Sequence, residues 1–137
     1  MGYAALADVL GIDEPEDDAE LIEIARHGLP SEVAELLATR LGISLGELCQ
    51  FLHVSPKTLG RHRGKILGPG LSDRLLTVAR VYARCKEVFK SDANSIVWLK
   101  SQLLALGDAR PIDLLDTNTG ADMVLTILGR IEHGVYS

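Results

Sequence analysis

Residues 45–65, LGELCQFLHVSPKTLGRHRGK, predict two short helices separated by a tight turn. Ser44 and Glu47 have the spacing of a capping box, in which each side chain bonds the backbone N–H of the other residue. Ser55 is suited to cap the second helix, and Pro56 takes its first position, where the missing N–H of proline costs nothing. Two start signals this close together leave room only for short helices.

The turn between the helices is formed by residues 53–55, and its chemistry departs from the usual pattern in one place. A glycine is common at the position of His53, because the backbone there adopts a positive φ. Histidine tolerates that conformation better than most residues. Val54 and Leu59 are the apolar residues needed to hold the second helix on the first, and Cys49 is small enough for a close helix crossing. We therefore predict a strained but complete turn.

Basic residues are concentrated after this turn. Four of the fourteen Lys and Arg residues of the chain lie in residues 57–65, and no acid lies among them. A capped helix, a turn and a second helix with a basic outer face are typical of the helix-turn-helix that places its second helix in the DNA major groove. An ordinary helix pair with a basic face is the alternative. The residues that we predict to contact DNA are Ser55, Lys57, Thr58, Arg61, His62, Arg63 and Lys65, all expected on or next to the second helix.

The composition favours an all-α protein. The 137 residues are 47% hydrophobic but only 4% aromatic, so the core must be built from Leu, Ile, Val and Ala. Alternating apolar patterns and β-branched runs, which predict strands, are nearly absent. We divide the chain into N-terminal helices at residues 1–43, a helix-turn-helix at residues 44–66 and a small helical C-terminal domain at residues 71–137. The first segment is predicted to form the interface of a homodimer, although it could instead only wrap the helix-turn-helix.

The remaining sequence predicts further helices, each bounded by a cap or a glycine. Gly-Pro-Gly within residues 66–71 cannot continue a helix, so we place a hinge between the two halves of the chain there. Ser31 is predicted to cap a helix that closes at Gly42. The other predicted helices cover residues 3–10, 19–27 and about 72–89, a segment capped by Ser91, the PIDLLD segment that starts at Pro111, and a last helix capped by Thr117, Asn118 or Thr119.

Apolar spacing predicts which faces of these helices are buried. Leu36 and Met123 are expected to face inward on their helices, and Trp98 is expected to anchor the core because a buried Trp contributes a large apolar area. A continuous apolar stripe in the longest helix is either the spine of the core or a dimer seam, and the spacing cannot decide between them. The stripe consists of Leu71, Leu75, Val78, Tyr82, Cys85 and Phe89.

Charge and residue usage exclude several classes of function. The net charge of −5 argues against a general nucleic-acid coat, because phosphate attraction dominates non-specific binding. Residues 1–35 hold ten acids and one Arg, so a basic face must lie on an otherwise acidic body. No apolar run approaches the ~20 residues that span a bilayer, and no signal peptide opens the chain, so we predict a cytoplasmic protein without membrane contact.

Chemistry-bearing side chains are not arranged as in an enzyme. The four histidines, residues 27, 53, 62 and 133, lack metal-ligand spacing, and no nucleophile has a base in a known motif. Cys49 and Cys85 are expected to be small buried hydrophobic residues. We predict no enzymatic activity, no metal, no cofactor and no small-molecule substrate.

The second half of the chain contains three specific features: PIDLLDT from Pro111, Gly120 and RIEHG from Arg130. With them, the chain from about residue 41 to residue 135 resembles the C-terminal domain of the Xre/MbcA/ParS-type antitoxins. A helix-turn-helix directly before this domain is what the family leads us to expect. Two positions depart from the family pattern: Gln102-Leu103 replaces the usual Pro-Asn, and Gly107-Asp108 replaces Gly-Gly.

The resemblance implies an antitoxin of a type II toxin–antitoxin pair. Members of this family are dimeric repressors of their own operon, and they neutralise a RES-domain toxin, which degrades NAD⁺, by covering its active site with the C-terminal domain. The partners implied are thus the cognate toxin, operator DNA and a second copy of the chain. The residues that we expect at the toxin are Arg110, Asp113, Asp116, Thr117, Gly120, Arg130, Glu132 and Gly134.

Two alternatives remain open from the sequence. The chain could be a stand-alone transcriptional regulator whose C-terminal half serves only dimerisation, and a toxin-sized open reading frame next to its gene would argue against that. It could also be a protein-interaction module that has lost DNA binding, as the acidic N-terminal segment and His53 in the turn allow. Steep loss of DNA affinity with salt would argue against the second alternative.

Overall fold

The computed structural model describes residues 2–134; Met1 and residues 135–137, the extreme ends of the first and last predicted segments, lie outside it. The described residues form helices joined by turns, and none of them forms a strand, as predicted from the composition. Two 3₁₀ segments, Leu104–Leu106 and Pro111–Leu114, lie between the last two α-helices. In chain order the α-helices are α1 (Ala4–Leu10), α2 (Asp18–His27), α3 (Glu32–Leu41), α4 (Leu45–Leu52), α5 (Pro56–Gly60), α6 (Pro69–Phe89), α7 (Asp92–Leu99) and α8 (Asn118–Glu132).

Helix α6 is the centre of the fold, and α1, α2, α3, α4, α7 and α8 all pack against it. The middle of its apolar stripe is fully buried: Leu75, Val78, Tyr82 and Cys85 are each at most 1% exposed. Burial of side chains of this size stabilises a fold by about 1.5–3 kcal/mol each. The stripe is therefore a spine of this chain's own core, which decides between the two readings that the spacing left open.

The segment that was predicted to be a hinge is instead bonded into the core. Pro69 and Gly70 do not break a helix but form the first two residues of α6, where proline needs no hydrogen-bond partner. Leu67 is buried, and its N–H donates to the Leu29 carbonyl at 2.8 Å. Ser72 does not open the helix: its buried hydroxyl donates to the Leu67 carbonyl at 3.1 Å and accepts from the Leu29 N–H at 2.9 Å. The expectation of a hinge here was wrong because Leu29, which bonds both Leu67 and Ser72, lies far away in sequence.

Ser31 also differs from its prediction. It stands before α3 with helical dihedral angles and makes no cap to that helix. Its hydroxyl instead accepts a hydrogen bond from the Gly64 N–H at 3.0 Å, and its own N–H donates to the Lys65 carbonyl at 3.0 Å. Ser31 therefore fixes the chain that follows α5.

Three predicted core side chains are less buried than expected. Leu36 is 37% exposed and Met123 is 48% exposed, whereas Ala34 and Ala38 occupy the buried face of α3. Trp98 is only half-buried and lies against the Phe89 ring, with the ring centroids 5.6 Å apart. Helical spacing gives the buried face to within about one residue position, and these residues lie at its edge.

Helix α1 is held to the body by an ionic cluster around Asp8. The Asp8 carboxylate accepts from Lys86 Nζ at 2.5 Å and from Arg40 Nη1 at 3.2 Å. The hydrogen bond from Lys86, followed by that from Arg40, lowers the pKa of Asp8 below its ordinary value. This cluster joins α1 to both α3 and α6, so the N-terminal helices pack on their own chain.

Candidate functional site

The first helix of the helix-turn-helix starts as the sequence predicts. Ser44 Oγ accepts from the Glu47 N–H at 3.0 Å, and Glu47 Oε1 accepts from the Ser44 N–H at 3.4 Å, which completes the capping box. His53 ends α4 with φ 57° and ψ 38°, the left-handed conformation expected there. Ser55 then caps α5 by accepting from the Thr58 N–H at 3.0 Å. The apolar partners of the turn, Leu59 and Cys49, are buried, and Val54 is half-buried.

The second helix is shorter than predicted. Helix α5 ends at Gly60, and residues 61–64 continue as turns rather than as a helix. The His62 N–H bonds the Leu59 carbonyl three residues back, which is the tighter 3₁₀ pattern. Two glycines, at residues 60 and 64, lower the helix propensity of this segment. Hydrogen bonds with Ser31, just before α3, also hold Gly64 and Lys65 in a non-helical conformation. Arg61, Arg63 and Lys65 are therefore presented by a fixed turn.

The predicted DNA-contacting side chains lie together on one short segment. Lys57, Arg61, Arg63 and Lys65 are exposed. Arg63 lies 3.9 Å from Glu35, and the other three form no ion pair within residues 2–134. When unpaired cations on a fixed segment bind DNA phosphates, they release the counterions condensed on the DNA. This release is the main source of non-specific protein–DNA affinity.

The hydroxyl and imidazole groups of the segment are already oriented by internal bonds. Ser55 Oγ lies 2.9 Å from Thr58 Oγ1, to which it donates, so the Thr58 hydroxyl keeps its own hydrogen for another acceptor. The half-buried His62 ring bonds the Thr58 carbonyl through Nδ1 at 2.9 Å. Thr58 is thereby the best placed of the three to donate to a phosphate or base edge.

In the C-terminal half, two charged residues predicted at the toxin bind each other. Arg110 Nε and Nη2 donate to the two Asp113 carboxylate oxygens at 2.9 and 2.8 Å. The hydrogen bond from Arg110 lowers the pKa of Asp113. Thr117 caps α8 by accepting from the Gly120 N–H at 2.9 Å. These groups shape the 3₁₀ helix Pro111–Leu114 and the start of α8.

Gly120 lies where α8 meets that 3₁₀ helix. It is buried, and a Cβ at this position would lie 2.0 Å from the Leu114 carbonyl oxygen. The structure thus gives a packing reason for glycine here, and direct contact of Gly120 with a toxin stays a prediction.

The other predicted toxin residues are divided between α8 and the turn before it. Glu132 pairs with Arg84 on α6 through two bonds, at 2.6 and 2.9 Å, and the hydrogen bond from Arg84 lowers the pKa of Glu132. Arg130 and Gly134 are exposed near the end of α8, and Asp116 is exposed before it.

One contact links the two candidate surfaces directly. The Nε2 atom of His53, in the helix-turn-helix turn, lies 2.6 Å from the Asp116 carbonyl oxygen. A second link comes from Lys100, which follows α7 and donates to the Gly42 carbonyl at the end of α3 at 2.7 Å. The helix-turn-helix and the C-terminal half are thereby packed together.

Sequence reasoning missed several exposed apolar side chains in the C-terminal half. Leu104 is 87% exposed and Val97 is 66% exposed, and Met123 also reaches solvent. The 3₁₀ turn Leu104–Leu106 and α8 border a cleft of about 430 Å³ that includes Met123. The LLALGD sequence, apolar residues directly before a tight turn, was the one available signal.

Other kinds of site have little support in the described part of the chain. Cys49 and Cys85 are both buried free thiols, and burial raises the pKa of Cys85 to about 12, which keeps it protonated and unreactive. Within residues 2–134, no three His, Cys, Asp or Glu side chains are grouped so as to hold a metal ion. None of the helices described has the length and apolarity to cross a membrane.

Comparison with known proteins assigns both halves. Residues 20–80, which contain the predicted helix-turn-helix, match the antitoxin Xre-like helix-turn-helix domain. Residues 86–134 match the antitoxin Xre/MbcA/ParS C-terminal toxin-binding domain. A protein named Antitoxin Xre from Yersinia enterocolitica serotype O:8 / biotype 1B is 29% identical over 121 residues, which are 85% of this chain and 81% of that protein. Another Antitoxin Xre, from Photorhabdus laumondii subsp. laumondii, is 27% identical over 118 residues, which are 83% of this chain and 79% of that protein. The chain therefore belongs to the Xre/MbcA/ParS family of antitoxins, in which a helix-turn-helix domain precedes a toxin-binding domain.

Proposed function

We propose that this antitoxin neutralises a RES-domain toxin, which degrades NAD⁺, and represses its own operon through the helix-turn-helix. One observation supports the proposal above all. The same folded chain carries an exposed basic segment at residues 57–65 and a domain that matches a toxin-binding domain. Helix α6 and the contact between His53 and Asp116 hold them together. The RES class of the toxin and its action on NAD⁺ rest on the family resemblance.

For operator binding, we assign different roles to the residues of the basic segment. Arg61 is proposed to read a guanine edge, since a bidentate Arg–guanine pair is the commonest specific contact. Lys57, Arg63 and Lys65 are proposed to position the protein on phosphates. Ser55, Thr58 and His62 orient the segment, and Thr58 has a free donor for DNA.

The test of this part is quantitative binding of the chain to DNA from upstream of its own gene and to random DNA of the same length. Arg61→Ala should weaken binding to the upstream DNA by about 1–3 kcal/mol and should affect random DNA less. Arg80→Ala is the matched control, because Arg80 is exposed on α6, away from the basic segment at residues 57–65. Equal losses on both DNAs would make Arg61 a phosphate contact, and no salt-sensitive binding to either DNA would remove the repressor role.

For toxin binding, we propose the C-terminal set named from the sequence, Arg110 to Gly134, as the region of contact. Deleting residues 111–137 is a poor test, because Ala121, Val124 and Leu128 of α8 are buried in the common core. Co-expression of the intact chain with the open reading frame next to its gene, followed by co-purification, tests the partnership without unfolding the domain. If the product of the neighbouring open reading frame is harmless and does not co-purify, only the alternative of a stand-alone transcriptional regulator remains.

We also propose a homodimer formed through residues 1–43. Operators of helix-turn-helix proteins are commonly palindromic because the proteins bind as dimers. The apolar stripes of α1 to α3 are already buried in their own chain, so the dimer would use the remaining exposed residues Ile22 and Leu36. Sedimentation equilibrium tests this: Ile22→Lys should shift the chain toward monomer, and an unchanged dimer mass would place the interface elsewhere.

A further inference from the structure

The cleft between the 3₁₀ turn Leu104–Leu106 and α8 differs from the rest of the C-terminal surface. Met123, 48% exposed, lines it with Leu106 and Ile127, and Leu104, which precedes the lining residue Ala105 in the turn, is 87% exposed. Water contact at a large apolar side chain is unfavourable, and an exposed apolar patch with a polar rim marks an interaction site. This cleft therefore presents apolar area that the chain itself does not cover.

Backbone hydrogen bonds hold the turn in this exposed position. The Leu103 N–H donates to the Ala109 carbonyl at 3.1 Å, and the Asp108 N–H donates to the Leu103 carbonyl at 2.9 Å. The Leu106 N–H bonds the same Leu103 carbonyl at 3.0 Å. Leu104 is therefore presented in a fixed position, which reduces the conformational entropy lost when a partner binds.

The charges at the cleft are free, in contrast to those of the neighbouring surface. Arg110, Asp113 and Glu132 are all held in internal ion pairs. Arg130 and Asp122 line the cleft, are exposed, and form no ion pair within residues 2–134. Charged groups at the rim of an apolar centre steer a partner and select its orientation.

We propose that this cleft is the surface on which the toxin docks. Leu104 and Met123 enter an apolar pocket on the toxin, Arg130 pairs with a toxin carboxylate, and Asp122 faces a toxin cation. We infer that the toxin is the partner because all residues that line the cleft lie within residues 86–134, which match the toxin-binding domain. This deepens the proposed function and rests on it. Within the C-terminal set proposed above, Arg130 then makes the direct ion pair, whereas Arg110, Asp113 and Glu132, which are held in internal pairs, mainly shape the domain.

The test measures the dissociation constant between the purified full chain and the product of the adjoining gene. Met123→Lys and Leu104→Lys should each weaken binding about tenfold or more, as for central interface residues. Ile66→Lys is the matched control, since Ile66 is also 49% exposed but lies between α5 and α6, outside the toxin-binding domain. It should change toxin affinity less than twofold, in keeping with a residue outside the interface. Arg130→Glu should also weaken binding. Because Arg130 is an exposed charged residue, this variant changes no apolar side chain, so weaker binding cannot be attributed to a loss of apolar packing. Circular dichroism and operator affinity should be unchanged in all three cleft variants.

Each other outcome overturns the inference in a recognisable way. If the wild-type chain binds the toxin and the cleft variants bind equally well, the docking surface lies elsewhere, although the antitoxin function stands. If the variants keep toxin affinity but lose self-association, the cleft joins two copies of this chain. If the wild-type chain does not bind the neighbouring product at all, the proposed function fails and the inference fails with it.

Discussion

Gly120→Ala should destabilise the chain although alanine is the better helix former. In an open helix the exchange stabilises by about 0.5–1 kcal/mol. At position 120 the new Cβ would lie 2.0 Å from the Leu114 carbonyl oxygen, while real contacts of this kind are essentially never below 3.0 Å. Helix α8 and the 3₁₀ helix Pro111–Leu114 must separate by about 1 Å, and overpacking of a core costs about 1–3 kcal/mol. After the gain in helix propensity is subtracted, we expect a net loss of about 0.5–2 kcal/mol and a fall in Tm of roughly 2–10 °C.

Gly129→Ala on the same helix is the matched control, because no atom lies within 4 Å of a Cβ there. It should leave the chain unchanged or stabilise it by up to about 1 kcal/mol. Urea denaturation with linear extrapolation measures both free energies of unfolding. Equal stability of the two variants would refute the close approach of α8 to Leu114. A stable Gly120→Ala variant that had lost toxin affinity would instead make Gly120 a direct contact.

Three further variants test separate parts of the structure. At position 53 the left-handed backbone should make His53→Ala about 1 kcal/mol less stable than His53→Gly by thermal denaturation, and equal stability would contradict the φ of 57°. Asp8→Asn should be less stable at pH 7 and should lose less stability in acid. The lowered pKa of Asp8 means that its contribution is complete above the ordinary value of 3.8 and is lost as the pH falls through the folded value. An unchanged acid unfolding curve would contradict the Asp8 cluster. Ser31→Ala should cost about 1–2 kcal/mol by leaving the Gly64 N–H unpaired, and should weaken DNA binding by loosening residues 61–65. A variant as stable as wild type would show that Ser31 is dispensable there.

The elements set by local chemistry could be predicted from the sequence. The capping box at Ser44, the cap at Ser55 and the positive φ of His53 each depend on residues within three positions, and all three are confirmed. The all-α class followed from periodicity, and the antitoxin family followed from specific segments such as PIDLLDT.

The features set by distant partners could not be predicted. Ser31 looks like a helix cap in the sequence, but its hydroxyl bonds Gly64, 33 residues away. Gly-Pro-Gly looks like a break, but Ser72 and Leu29 bind the segment into the core. The same bonds from Ser31 to residues far along the chain help to end α5 at Gly60, so Arg61 lies on a turn. For the candidate site, charge pattern located the basic segment, whereas the exposure of Leu104 depends on how the turn folds back.

The structure places the two proposed functions close together. His53 precedes the basic segment at residues 57–65, and its Nε2 atom lies 2.6 Å from the Asp116 carbonyl oxygen, just before α8. Residues of both domains also pack on the single helix α6. A partner bound to the C-terminal domain would therefore contact the same core that carries the basic segment at residues 57–65.

The most direct test of the account is the growth and the NAD⁺ content of cells that express the adjoining gene with and without this chain. We expect that the adjoining gene alone stops growth and depletes NAD⁺, and that co-expression of the chain restores both. Growth arrest and NAD⁺ loss that persist when the chain is present at equal or higher level would contradict neutralisation. Arrest that the chain relieves without any change in NAD⁺ would keep the antitoxin and reject the RES class of its toxin.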